Sequence, residues 1–163
     1  MIEPQFLDVL RQLCIRLVDC QSAWAVTGSL GLTLQGMQLE VHDIDIQTDQ
    51  QGAYQIESLF SEYVIRKVEY RASERIRSHF GALEIEGVKV EIMGDLQKLL
   101  DDGTWEEPVR VEKYRQWLNF EGMQVPVLTL EYEYQAYRKM GRLEKAEKIN
   151  VWLEENHTRQ NAG

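Results

Sequence analysis

Asp43 and Asp45 stand two apart in the segment Val41-His42-Asp43-Ile44-Asp45-Ile46. It alternates polar and apolar residues after His42, so it reads as a β-strand. On a strand, side chains i and i+2 share a face and lie roughly 6.5–7 Å apart. Ile44 and Ile46 then point to the other face, toward a covering layer of helix. Two carboxylates on one face repel each other and resist burial. A divalent cation relieves both costs, and hard oxygen donors suit magnesium. Such a pair can hold two ions about 3.5–4 Å apart, the clamp that serves in-line phosphoryl displacement. The plain alternative is an Asp-x-Asp facing solvent, so the pair must be read with its neighbours.

Gly28-Ser29 is the first neighbour. The apolar run Ala23-Trp24-Ala25-Val26 suits a short buried strand, with Trp24 in the core, and Leu30 to Leu34 looks like the start of a helix. Gly31 and Gly36 weaken that helix. A glycine between strand and helix allows a tight turn with open amide donors, and the helix start behind Ser29 favours an anion such as phosphate. A serine helix cap is the ordinary alternative.

Glu91 is the third candidate. Phe80 to Ile85 and Val88 to Met93 read as a hairpin across Glu86-Gly87. Val88, Val90 and Ile92 share one face, leaving Lys89, Glu91 and Met93 on the other. That register pairs Leu83 with Val90 and sets Ala82 near Glu91, where a small neighbour leaves room for a metal or a substrate. Glu84 is expected to pair with Lys89, and Glu91 has no obvious partner.

The elements that must position these groups follow from the rest of the chain. Phe6, Leu10, Leu13 and Leu17 mark an amphipathic helix over residues 4–19, opened by Pro4. Residues 52–61 read as a helix. From 62 to 77 the chain alternates less cleanly, and Arg66, Lys67, Arg71, Arg75 and Arg77 collect there. They either balance Glu62, Glu69 and Glu74 on a solvated surface or supply phosphate contacts. Arg77 and His79 directly precede the hairpin strand, near the site. Residues 101–108 form an acidic loop, Met123 to Leu128 a last strand, and about 130 to 155 a helical region. Arg138, Arg142 and Lys145 could share one helical face, unless Gly141 divides it into two helices. Lys145 is a candidate phosphate contact. Tyr132, Tyr134 and Tyr137 line either a base or acceptor pocket or a packing face. His42 points away from the acid pair. The pattern predicts an α+β fold, a mixed β-sheet flanked by helices with a C-terminal helical segment. It is expected as one domain over residues 1–156, with a frayed tail from 157 to 163.

Composition narrows the classes. The 163 residues suit one domain. Eighteen basic against 27 acidic side chains give a net charge of −9, which argues against a nucleic-acid partner held through its phosphates. No apolar run reaches the roughly 20 residues a membrane span needs. Glu3 and Asp8 stand where a signal peptide would be basic. Cys14 and Cys20, the two cysteines, lack metal-ligand spacing. The expectation is a cytoplasmic protein with no membrane partner.

In the order Gly28-Ser29, Asp43-Ile44-Asp45 and then Glu91 on a later strand, the chain resembles the nucleotidyltransferase superfamily, the DNA polymerase β-like fold. Ala23-Trp24, His42-Asp43-Ile44-Asp45-Ile46 and Val125-Pro126-Val127-Leu128-Thr129-Leu130 add similarity to small lincosamide- and aminoglycoside-type enzymes. Uncharacterised bacterial nucleotidyltransferases and some toxin–antitoxin toxins look similar too. The resemblance covers roughly residues 20–150. It implies that Gly28 and Ser29 hold the β- and γ-phosphates of a nucleoside triphosphate such as ATP. Asp43 and Asp45 would bind magnesium, with manganese as a substitute. Glu91 would complete the shell of a second ion and help deprotonate an acceptor hydroxyl. Arg77 and Lys145 would contact the nucleotide. The implied reaction is magnesium-dependent transfer of a nucleoside monophosphate to a hydroxyl of a small molecule. A toxin-type enzyme acting on tRNA or protein, and a non-catalytic nucleotide- or partner-binding domain, are the alternatives. Glu91 departs from the aspartate many relatives carry, so its ligand role is firmer than its role as base. A homodimer, in which a second copy completes the pocket, is a further expectation.

Overall fold

The computed structural model describes residues 2–162, with side chains through His157. The chain opens with helix α1 (Pro4–Arg16), which has proline in its first turn and ends in a 3-10 turn over Leu17–Asp19. Strand β1 (Trp24–Thr27) leads directly into helix α2 (Gly28–Leu34). Strand β2 (Ile44–Thr48) is followed by helix α3 (Gln50–Leu59), where the Asp49 carboxylate accepts from the Gly52 amide at 2.7 Å. Strands β3 (Val64–Ala72), β4 (Ile76–Ile85) and β5 (Val88–Lys98) form a meander. The short helix α4 (Val111–Tyr114), the β6 (Arg115–Phe120) and β7 (Met123–Leu128) hairpin, and helices α5 (Leu130–Lys139) and α6 (Leu143–Ala162) complete the chain.

All seven strands join in one mixed sheet of order β3-β4-β5-β2-β1-β7-β6. β2 lies antiparallel to β1 and parallel to β5, and β1 lies parallel to β7. Odd and even residues divide the sheet into two unlike faces. On the first, Val26, Ile44, Ile46, Val90, Ile92, Val125 and Val127 pack with α1 and α3 in the main core. The second face carries Ala25, Thr27, Asp45, Gln47 and Glu91. The α5–α6 pair packs on α2 through Leu32, Leu130, Tyr137 and Ile149. A smaller cluster of Ala25, Leu96, Val109, Val111 and Leu128 fills the far end of the second face.

The hairpin across Glu86-Gly87 is present, with φ of 49° and 81° at the two turn residues, as a type I′ turn requires. Its register pairs Leu83 with Val90 and Ala82 with Glu91, as the pattern predicted. Both strands run longer than predicted, because β5 is bulged. Asp95 has φ of 52°, and the pairing steps from His79–Gly94 to Arg77–Gln97. The extra residue on β5 turns Leu96 and Lys98 from the first face to the second.

Several expectations are corrected. β2 begins at Ile44, so Asp43 sits on the bend before the strand. Strand β3 occupies part of the region where alternation was weak, because this edge strand buries only Val68. β6, at the other edge, is a strand that had no forecast. Gly141, at φ 75°, divides the C-terminal region into two helices. The expected frayed tail falls almost wholly outside the described side chains.

Candidate active site

The site forms where β1, β2 and β5 lie side by side. Register sets Thr27 beside Asp45 and Asp45 beside Glu91, and alternation aims all three at the second face. The Asp45 and Glu91 carboxyls stand side by side on adjacent strands, close enough for each to perturb the other. Burial first, then the charges of Glu91 and Asp43, push the Asp45 carboxyl up to about 7. Two carboxylates this close cannot both stay charged unless a cation or a shared proton separates them. Asp43 reaches the pair electrostatically from its bend.

Gly28 explains itself here. Its φ is 71°, and an added Cβ would stand 2.5 Å from Asp45 Oδ2. Any side chain at 28 would displace that carboxylate, and the left-handed backbone already disfavours one. The Gly-Ser turn and the Asp-x-Asp segment are thus in contact. Ser29 follows half-buried, and among the described residues its hydroxyl has no hydrogen-bond partner.

Lys89 corrects one expectation. It does oppose Glu84 in register, but its ammonium pairs with Glu91 at 3.1 Å instead. Both side chains lie on the second face, two residues apart. Glu91 therefore has a partner, and that partner is a cation.

Lys145 lies half-buried on α6, with its ammonium 4.9 Å from the centre of the Tyr137 ring. Burial, then the Arg142 guanidinium, lower its pKa, while Glu133 and Asp45 act against them. It belongs to the group. Arg77 does not: it is five residues from Ala82 on β4, and so faces the other way. Its guanidinium lies 4.3 Å from the centre of the Trp105 ring and its Nε donates to Gln97. His79 also lies on the first face, between the rings of Tyr54 and Tyr70. Tyr137 is buried in helix packing, and Tyr132 stacks on Tyr114. His42 is exposed beside Glu40.

Sequence reasoning missed Glu133. This α5 side chain is 4% exposed and accepts a hydrogen bond from the Thr27 hydroxyl, with the polar backbone of Gly28 beside it. Burial raises its pKa to about 7 against the Thr27 bond, the neighbouring Gly28 backbone and the charges of Lys145 and Lys98. An acid near a helix start looks like ordinary dipole complementation, so nothing marked it out.

Among the described residues, no three carboxylate, imidazole or thiolate side chains already stand grouped as a metal site. The donor chemistry nonetheless suits a hard divalent cation. Asp45 and Glu91 present adjacent oxygens, Asp43 stands close enough to add its charge, and no sulfur or imidazole competes.

A mixed sheet with an acidic pair and a glycine turn at its centre, backed by helices, is a nucleotidyltransferase architecture. The match to the aminoglycoside-2''-adenylyltransferase family spans residues 9–151, and the chain belongs to that family. A candidate nucleotidyltransferase of Thermotoga maritima is 57% identical, over 95% of this chain and 96% of that one, with a TM-score of 0.84. Two more distant structures share the fold. The lincosamide adenylyltransferase LnuA, with lincomycin bound, is 17% identical at TM-score 0.53, over 91% of this chain and 98% of its own. ANT(2'')-Ia, in complex with adenylyl-2''-tobramycin, is 11% identical at TM-score 0.57, over 96% and 99%. No curated protein sequence matches significantly. The family and these neighbours are nucleotidyltransferases, which makes the chain an enzyme of that class. Among the described residues no helix is long and apolar enough to cross a membrane.

Proposed function

We propose that the protein transfers a nucleoside monophosphate from a magnesium-bound nucleoside triphosphate to a hydroxyl of a small molecule. The observation that carries this reading is the contact of Asp45 with both Glu91 and the backbone of Gly28. It joins a cation-seeking carboxyl pair to a turn open to phosphate. Asp43, Asp45 and Glu91 would hold the metal, which supplies charge neutralisation at the transferred phosphoryl group and the leaving pyrophosphate. Gly28 and Ser29 hold the β- and γ-phosphates, and Lys145 offsets their charge from α6. Glu91 accepts the proton of the acceptor hydroxyl. The hydroxyl oxygen bonds to the α-phosphorus as the bond from that phosphorus to the bridging oxygen breaks, and pyrophosphate leaves.

The acceptor enters along the second face. A cleft of about 830 Å³ lies toward the far ends of β2 and β5, lined by five carboxylates, Glu107 and Glu112 among them, and by three cations, Arg110, Lys113 and Lys139. Its excess of carboxylates favours an acceptor bearing amines over an anionic one. The family's named substrates agree with that chemistry.

Calorimetry with ATP, GTP, CTP and UTP, with and without magnesium, tests the reading on wild type and on Asp43→Ala/Asp45→Ala. The expected result is magnesium-dependent binding of at least one triphosphate, lost in the variant. Equal binding by the variant overturns the site.

A further inference from the structure

We propose that Glu133 is a positioning residue that holds the β1–α2 turn in its triphosphate-receiving form by accepting a hydrogen bond from Thr27, the residue next to Gly28. The proposal rests on the nucleotidyl-transfer reading and adds a residue to it.

The argument begins with cost. A carboxyl 4% exposed on a helix is unfavourable unless its oxygens are satisfied. Glu133 accepts a hydrogen bond from the Thr27 hydroxyl and has the polar backbone of Gly28 beside it. Those residues carry the chain from strand to helix. Gly28 has a left-handed φ of 71°, and a Cβ added there would stand 2.5 Å from Asp45 Oδ2. A glycine there is free to take other conformations, and anchoring Thr27 just before it limits that freedom. Thr27 lies beside Asp45 in register, so the same carboxylate ties down the strand end next to the acid pair.

The support behind Glu133 is itself fixed. Thr129 caps α5 through the Tyr132 amide at 3.2 Å, and Leu130 and Tyr137 pack against α2 and α6. Lys145 from α6 and Lys98 from β5 bring positive charge to the carboxyl. Lys98 faces this way because of the Asp95 bulge. Glu133 therefore acts through the turn and touches no reacting group.

The test uses Glu133→Gln, which keeps an accepting oxygen, Glu133→Leu, which keeps none, and Thr27→Val, which removes one donor. The first readout is the dissociation constant of the magnesium complex of whichever nucleoside triphosphate wild type binds best. Glu133→Leu should weaken it about tenfold, Thr27→Val about threefold, and Glu133→Gln less than about threefold. The Glu133→Leu/Thr27→Val double variant should be no weaker than Glu133→Leu alone. The second readout is hydrogen exchange at the Gly28 amide, expected to quicken in Glu133→Leu and stay slow in Glu133→Gln. A folded Glu133→Leu that binds within twofold of wild type overturns the proposal. So does a Glu133→Gln as weak as Glu133→Leu, which would assign the effect to charge. If Glu133→Leu does not fold, an unchanged affinity in Thr27→Val overturns it instead. If wild type binds no triphosphate, the nucleotidyl-transfer reading fails separately. Hydrogen exchange then decides whether Glu133 holds the turn.

Discussion

The two faces of the central sheet use alternate residues of the same strands for opposite ends. On β2 and β5, Ile44, Ile46, Val90 and Ile92 are fully buried against α1 and α3. Asp45 and Glu91, one step along each strand, meet on the other face in an arrangement that burial and like charge both oppose. Neither face would work alone. A pair of repelling carboxylates stays together only because the apolar face fixes the strand register beneath them. The dry face supplies stability, and the wet face gives some of it up to hold charge where a cation can use it.

Asp45→Asn separates the two most sharply. Nucleotidyl transfer should fall by about a thousandfold or more, since charge stabilisation at the phosphoryl group goes with the ligand. Yet the metal-free protein should gain stability, on the order of 1 kcal/mol, because the repulsion with Glu91 is gone. Ile92→Ala, the next residue along from Glu91, should do the reverse. It should cost about 2–5 kcal/mol of stability and leave turnover of the folded protein nearly unchanged. Denaturant melts and initial rates on both variants check this, and a destabilised Asp45→Asn would break the contrast.

Gly28→Ala should come next, with activity down about a hundredfold. The new Cβ would lie 2.5 Å from Asp45 Oδ2, on a backbone with φ of 71°. Strain of this kind costs about 1–3 kcal/mol, so the melting temperature should fall as well. Gly31→Ala, whose Cβ would meet the Val26 carbonyl oxygen at 3.1 Å, should leave nucleotide binding far closer to wild type.

How far the site could be read from sequence follows the same division. Alternation gave the β4–β5 hairpin, its turn and its register, because each strand buries one face completely and a one-residue slip would invert it. The edge strands β3 and β6 were not legible, since most of their side chains are exposed and little apolar period survives. Gly28, Asp45 and Glu91 were legible as residues, but their mutual contact was not, because it depends on β2 lying between β1 and β5. The nomination of Arg77 counted only distance along the chain from the hairpin. The parity of β4 sends its side chain to the opposite face from Ala82. The Lys89–Glu91 pair was missed because cross-strand neighbours were weighed above neighbours two apart on one strand.

Glu133 carries a smaller effect, and one that depends on pH. Its pKa is raised from 4.5 to about 7, so the folded state keeps a proton that the unfolded chain has released. The stability tied to that proton is complete below about pH 4.5 and is lost as pH rises through 7. Glu133→Gln should flatten this part of the curve, by on the order of 3 kcal/mol between the limits. Asp45 titrates in the same direction but is present in both proteins, so the difference between their urea melts at pH 5 and pH 7.5 isolates Glu133. Parallel curves would mean that the carboxyl is not desolvated as its burial indicates.

Lys89 should show the smallest change and the most specific one. Its ammonium neutralises Glu91 at 3.1 Å while 48% exposed, against 25% for the carboxylate. An ion pair that open contributes little stability, about 0–1 kcal/mol. It does occupy an oxygen that a metal would need. Lys89→Met should therefore leave the melting temperature unchanged and tighten magnesium binding about threefold, measured by titrating the ion against a fixed triphosphate. Added salt should shrink the difference, because the competing charge is screened. Weaker magnesium binding in Lys89→Met would instead place the ammonium among the groups that hold phosphate, and move one residue from the resting wet face into the loaded one.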